Sequence, residues 1–548
     1  MKNFFKKLGR ALVGRKGVGN TLTVVIILAV VMLNILAYTV TNAFGLYAYS
    51  KESEDLSISG NTDDMFADAI KIGKKVKITF CYPEDTLENH DTGRFVLETV
   101  RAFKERYPEF IDVRFINLLT KMDEDGNIVD LDRYKQIICP HCSKIVNVSN
   151  LDTSSPSCTY CSEKLSSDDL AKPVSTFKQS SVIFECGEGR ERVFRVITDN
   201  YTSAGFVDFY ILNSAGSIVS YNGEEVVAAM ISWVLHDKHS TVYFTQNHGE
   251  TADIAFTNLL TCAGYYVEVI NLRKQEIPKD AGAIIISNPT SDFESSVEDA
   301  VARGEIEKLE DYLDGGGRLY VALDPYVKPL NNLEGLLAKW GIVVSGEKND
   351  DGVVLRDVVQ ESADAITTDG YTFVATHADN EISNKILDKV QKYGSDRVLI
   401  SNVVRLKLTS DESRGIEAMP ILVSGDTSTT HAGGKVTDRE GNYTVAACST
   451  KTVNGKKSAV FVIPTAYITA TDAFISEGYS NKDFLYATFE VLFDSHPAPY
   501  GCNQVMYDTQ ILENFTMGRA RTYTAILLAI PAALALTGLI IIVRRKNR

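Results

Sequence analysis

The sequence predicts an α/β protein standing outside a membrane and held there by two membrane-spanning helices. Three observations carry that expectation. Strands and helices alternate from Thr241 to Trp340, two long uncharged apolar runs lie near the chain ends, and a doubled Cys-x-x-Cys pattern interrupts the N-terminal half. At 548 residues the chain has room for two or three domains, each with its own core. A formal charge of −15 and a pI near 5.2 argue against a nucleic-acid partner, because phosphate affinity rests on clustered Lys and Arg.

The apolar runs set the frame. No charged residue occurs from Gly17 to Ser50, and residues 21–43 are long enough as a helix to cross the roughly 30 Å hydrocarbon core. Residues 522–543 form a second uncharged run, with Pro531 inside it. Lys2, Lys6, Lys7, Arg10, Arg15 and Lys16 precede the first run, so the positive-inside rule puts both termini in the cytoplasm, as tails 1–20 and 544–548. The expected placement is a two-pass protein of the cell membrane, in contact with the lipid bilayer, with a large extracytoplasmic region. Within that region 44–75 reads as a polar stalk and 504–521 as a juxtamembrane segment.

Residues 76–238 read as a thioredoxin-like α/β domain. VKITFCY (76–82) is a strand, GRFVLETVRAFKERYP (93–108) a helix with Phe95, Val96, Val100 and Phe103 on one face, and IDVRFINL (111–118) a strand. SVIFEC (181–186) and ERVFRVI (191–197) form an antiparallel pair before a helix from about Glu224 to Leu235. Redox chemistry is not expected, because the loop after the first strand carries only Cys81 where a pair of thiols is required.

The insertion at 136–166 carries the sharpest motif. ICPHCSK (138–144) and SCTYCSE (157–163) are two Cys-x-x-Cys knuckles separated by fifteen residues, a zinc-ribbon spacing. Cys139, Cys142, Cys158 and Cys161 would close a tetrahedral four-sulfur site around a structural Zn2+, leaving no position for water or substrate. A pair of disulfides is the alternative on the oxidising side of a membrane. His141 reads as a spacer, since four sulfurs suffice.

Residues 239–503 read as a Rossmann-like α/β domain. VYFTQ (242–246) is a strand, TADIAFTNLLTCA (251–263) a helix, and His248, Gly249 and Glu250 lie between them. A polar loop at a strand end feeding a helix is where ligands bind in open α/β sheets. The plainer reading is that Glu250 and Thr251 cap the helix while Gly249 permits the turn. Asp324, ending LYVALD, is the other polar candidate. Several motifs lead nowhere: DGGGR (314–318) follows a helix rather than a strand, GRKGVGNT (14–21) puts Asn20 where a Walker Lys must be, Cys262 lies mid-helix, and no Gly-x-Ser-x-Gly is present.

HGE after the first strand, a GY-x-V strand, IP-x-DA, YLDGGGRLYVALDP and a closing WGI together resemble the GldG family. The segment 465–493 resembles that family's closing element, with ATDAF where many relatives carry a GDSDF-like loop. The same layer resembles class I glutamine amidotransferase-like domains, without their nucleophilic Cys. Resemblance to GldG implies a non-catalytic auxiliary subunit of an ABC-type export system, with a permease and a separate ATPase as partners. It marks His248, Gly249 and Glu250 as a tentative ligand site without giving them a catalytic role. The alternative is an extracytoplasmic hydrolase or carbohydrate-binding protein using His248, Glu250 and Asp324, which requires those side chains to converge in a pocket.

Overall fold

The computed structural model describes residues 56–506, apart from 60, 142–144, 153, 174–176, 199–206, 214–215, 297–302, 454 and 477, together with residue 32. By compactness the chain divides into 1–55 with 507–548, and 56–506; nearly all described residues belong to the second unit.

Its first layer is a five-stranded mixed sheet. Val76–Phe80 (β1) pairs in parallel with Ile111–Asn117 (β2) and antiparallel with Val182–Cys186 (β6), giving the order β3-β2-β1-β6-β7 with Met122–Asp123 as β3 and Val193–Ile197 as β7. Between β3 and β6 a separate hairpin is made by Gln136–Ile138 (β4) and Ile145–Asn147 (β5). Two helices cover this sheet and its flank. Asn61–Lys71 (α1) lies inside the segment read as a stalk, but Phe66 is fully buried against Phe103, Tyr107 and Phe110, so this part is docked structure. Gly93–Arg106 (α2) buries the Phe95, Val96, Val100, Phe103 face that its spacing predicts.

Gly223–Leu235 (α3) is buried at every position from Gly223 to Val234, as a helix apolar nearly all round must be. It packs on β6 and β7 on one side and reaches the second layer on the other. Of its two first-turn acids, Glu225 accepts hydrogen bonds from Lys482 Nζ at 2.8 Å, Tyr486 Oη at 2.6 Å and Asn222 Nδ2 at 3.0 Å. Arg195 of β7 lies over the rings of Trp233 and Tyr266. These contacts weld the two layers together.

The second layer is one sheet of eleven strands. Its parallel half contains Thr241–Thr245 (β8), Tyr266–Ile270 (β9), Ala281–Ser287 (β10) and Arg318–Ala322 (β11), with Ile254–Cys262 (α4), Glu305–Asp314 (α5) and Asn331–Lys339 (α6) between and after them. The remaining strands are Ile342–Val344 (β12), Thr372–His377 (β13), Val398–Ser401 (β14), Leu406–Leu408 (β15), Glu417–Val423 (β16), Thr444–Val453 (β17) and Lys456–Ile463 (β18), with helix Glu381–Tyr393 (α7) after β13 and helix Asn481–Phe493 (α8) closing the unit. The path is β9-β8-β10-β11-β18-β17-β16-β13-β14, with β12 and β15 attached through β17.

These findings correct the expected fold class. Elements from Thr241 to Trp340 follow the predicted order, yet their strands are not a layer of their own. Strand β18 adds in parallel beside β11, and antiparallel strands carry the same sheet onward. The described residues are therefore a mixed α/β assembly of several sheets, in place of two separate thioredoxin-like and Rossmann-like or glutamine-amidotransferase-like domains. The spans expected at 21–43 and 522–543 lie outside the described residues. Among the described residues no helix is long and apolar enough to cross a membrane. The longest of them, α2, has 14 residues and so a length of about 21 Å, against a hydrocarbon core of about 30 Å. The expected two-pass membrane placement, with cytoplasmic termini and an extracytoplasmic body, is accordingly not supported by the described residues.

The far edge of the sheet is closed deliberately. Asn481, at the start of α8, accepts from Leu399 N–H at 2.9 Å and donates to Leu399 C=O at 2.7 Å, occupying the outward backbone groups of edge strand β14. Replacing Asn481 with Ala strips both partners from buried groups, each worth about 1–3 kcal/mol. The thermal midpoint of the full chain is expected to fall clearly; an unchanged midpoint would contradict this role.

Candidate functional site

The polar loop after β8 forms a closed ion cluster. Asn247 at φ +85° and Gly249 at φ +74° turn the chain sharply, and a Cβ at Gly249 would lie 2.0 Å from Thr290 Oγ1, so only Gly fits there. The turn drives His248 inward to full burial, stacked on Phe293 with ring centroids 3.9 Å apart. Its ring donates Nδ1–H to Glu250 Oε1 at 3.0 Å and Nε2–H to Glu305 Oε2 at 2.8 Å. Glu250 also accepts from the His248 backbone N–H at 2.7 Å, and Thr290 and Ser291 N–H groups donate to the His248 C=O at 2.8 and 2.9 Å.

Electrostatics follow from this geometry. Burial works against a charged imidazole, but hydrogen bonds to Glu250 and Glu305 and their charges outweigh it and hold the His248 pKa up, at about 9. Burial likewise raises both carboxyls, but the bonds to His248, helped by backbone N–H donors at both, the Thr245 hydroxyl at Glu250 and the Arg273 charge at Glu305, more than offset it, so Glu250 and Glu305 are held below the usual carboxylate range. A ring kept protonated to about 9 has no free lone pair at neutral pH, so His248 is poorly suited to act as a general base.

The cluster lies at the topological switch point of the parallel strands. After β8 the chain moves to β9 on one side, and β10 pairs on the other, so the loops following β8 and β10 diverge there. Such a crevice ordinarily receives a ligand. Here His248 from one loop meets Phe293 of the other and Glu305 at the start of α5.

Of the residues singled out in the sequence, His248 and Glu250 are brought together and Gly249 shapes their turn. Asp324 is not part of the group. It follows β11, two strands from β8 and so about 10 Å away laterally, and its carboxylate accepts from Tyr326 N–H at 2.8 Å. Glu250 does not cap the following helix. That helix begins at Ile254, and Asp253 caps it, accepting from Ala255 N–H at 3.0 Å and from the Thr471 hydroxyl at 2.7 Å. Glu305 was not foreseen: an acid opening an amphipathic helix looks like any solvent-facing residue. Asp253 was findable, standing directly before the apolar run IAFTNLL.

Beside the ion cluster, on the α4 side, is an open cleft of 690 Å³ lined by Phe244, Thr245, Gln246, Glu250, Val267 and Val269 among others.

In the insertion, Cys139, Cys158 and Cys161 present Sγ atoms all within 4.8 Å of one another, a group that can hold a metal ion. Cys142 lies outside the described residues. Cys139 and Cys161 Sγ atoms are 3.8 Å apart, and Cys158 Sγ accepts the Tyr160 N–H at 3.4 Å. Ser162 at φ +63° closes the second knuckle, and its N–H donates to Cys158 C=O at 2.9 Å. Ile137, Val146, Leu151 and Leu165 pack around the sulfurs as a small core, while His141 is exposed.

No family model and no curated protein sequence matches the chain. Similar solved structures include the mmIFT52 N-terminal domain (16% identity, TM-score 0.33, covering 46% of this chain and 96% of that one). Cytoplasmic Protein STM3548 from Salmonella typhimurium is similar at 11% identity and TM-score 0.27, over 46% of this chain and 98% of that one. PurLQS from Thermotoga maritima is similar at 12% identity and TM-score 0.25, over 46% of this chain and 99% of that one. Likenesses at these TM-scores carry no argument about function.

Proposed function

We propose that the chain is a non-catalytic auxiliary subunit of an ABC-type export system, assembling with a permease and a separate ATPase. The reading rests on the resemblance to GldG-like proteins, and one observation supports it. His248 and Glu250, from the triplet that marks the resemblance, are tied with Glu305 into an internal joint between two loops, and Gly249 shapes the turn. A site built this way suits a rigid scaffold better than turnover. Affinity purification of the tagged full chain from its own host is expected to recover a multi-span permease and an ATPase together; repeated recovery of neither refutes the assignment.

The insertion is proposed to hold one structural Zn2+ on Cys139, Cys142, Cys158 and Cys161. Zinc–sulfur bonds of about 2.3 Å in a tetrahedron put the sulfurs about 3.8 Å apart. The Cys139–Cys161 separation has that value and is far from the roughly 2.05 Å of a disulfide.

A further inference from the structure

The first turn of α8 carries a charge that the fold leaves unbalanced. Lys482 Nζ donates to Glu225 Oε2 at 2.8 Å, and its charge is spent on that pair. Asp483, the next residue, has no cation at ion-pair distance among the described residues. Its two carboxylate oxygens share one donor, the Gly501 N–H, at 3.2 and 3.3 Å. An ionised carboxylate offers about four acceptor sites, and buried charges are ordinarily paired. This one belongs to a residue only 8% exposed. Burial pushes its carboxyl up to about 6, although the Lys482 charge and the Gly501 N–H work the other way. Glu224 and Glu225 of α3 stand near the same Cys502 thiol as Lys482 and Asp483, so three buried carboxyls are set against one ammonium. Glu224 is served by the N–H groups of Ser59 and Asn503 at 2.6 and 2.8 Å, and Glu225 by Lys482, Tyr486 and Asn222. The group of that cluster short of a partner is Asp483.

Ser480 supplies an independent sign. It is the N-cap of α8 and only 7% exposed, yet its hydroxyl accepts nothing from the first turn and has no other hydrogen bond among the described residues. Buried hydroxyls are ordinarily paired. The hydroxyl lies beside the carboxylate: a Cβ at Gly394 would stand 3.5 Å from both Ser480 Oγ and Asp483 Oδ2. A cleft of about 230 Å³ is lined by Ser480 and Asp483 together with Lys482, Gly501 and Cys502. That volume is below the roughly 300–1,000 Å³ of sites for drug-sized ligands, so the cleft suits a molecule of a few heavy atoms.

We propose that this cleft is a binding site for a small primary amine, whose ammonium group pairs with Asp483 and whose neighbouring hydroxyl or carbonyl meets Ser480. The site does not rest on the partnership with a permease and an ATPase, since it uses none of the residues that mark the resemblance.

The test titrates the full chain with ethanolamine in amine-free buffer at neutral pH, with binding followed by saturation-transfer NMR on the ligand. Ethanolamine is expected to bind in the millimolar range. Ethylene glycol, which lacks the charge, and glycolate, which reverses it, are expected to bind at least tenfold more weakly. Asp483→Asn is expected to weaken ethanolamine at least tenfold without lowering the melting temperature, because it removes an unpaired buried charge and keeps an acceptor for the Gly501 N–H. Ser480→Ala is expected to weaken it several-fold. The other ionisable groups acting on Asp483 are Lys482, Glu225 and the Tyr500 phenol, so the uptake of a proton by Asp483 as pH falls through about 6 should weaken binding, and Asp483→Asn should remove that dependence. Equal binding of ethylene glycol and ethanolamine, or no binding of ethanolamine, overturns the proposal. Tighter binding of glycolate overturns it in favour of an anion held by Lys482 and the first N–H groups of α8. Full ethanolamine binding by Asp483→Asn also overturns it, and should that variant fail to fold, the comparison of the three ligands on the unaltered chain decides.

Discussion

Replacing His248 with Ala is expected to destabilise the folded chain by about 3–5 kcal/mol, because it leaves Glu250 and Glu305 buried together without the positive charge between them. The pH dependence identifies the cause. His248 has a folded pKa of about 9 against 6.5 for a free ring, so its stabilisation is complete below 6.5 and is lost as pH rises through 9. A shift of that size corresponds to something on the order of 3 kcal/mol. Glu250 and Glu305 are lowered from 4.5, so their contribution is present above 4.5 and is lost as pH falls through their folded values. The cluster's own contribution to stability is therefore expected to be highest between 4.5 and 6.5 and to decline toward pH 9. His248→Ala should flatten the alkaline limb. A variant as stable as wild type, with the same alkaline decline, would show that the cluster does not join the loops.

How much of this cluster could be read from the chain alone depends on distance along it. The loop at His248 to Glu250 declared itself as polar residues at a strand end, but Glu305 lies 57 residues further on, and no local pattern links the two. The same limit applied to the sheet. PILVSG, YTVAAC and SAVFVIP were legible as strands, because apolar runs between turn residues are local signals. That SAVFVIP inserts beside Arg318–Ala322 and extends one sheet to eleven strands is a long-range pairing, which propensity does not encode. Asn481 shows the point at its sharpest: one polar residue at the start of a largely buried helix closes a sheet edge. The cysteine knuckles were legible because their spacing is itself the chemistry, and the structure gathers Cys139, Cys158 and Cys161 as that spacing requires.

That gathering leads to the other large expected effect. One equivalent of zinc should accompany each purified chain, and a strong chelator should release it. Structural zinc in small domains contributes on the order of 10 kcal/mol at neutral pH. The apolar core of the insertion, Ile137, Val146, Leu151 and Leu165 with a few partly buried neighbours, is too small to replace that contribution. Metal removal should therefore unfold the insertion locally, exposing 136–166 to proteolysis and four additional thiols to alkylation, while the sheets built by β1 and β8 stay folded. Cys158→Ser should reproduce the proteolytic sensitivity without chelator, since Cys158 is buried among the other sulfurs and an alcohol is a far weaker zinc ligand than a thiolate. Loss of metal should leave the alkaline decline assigned to His248 unchanged, because the ion cluster and the ribbon share no residue. A chain with no stoichiometric metal, whose cysteines resist alkylation until reduced, would replace zinc with disulfides at this site.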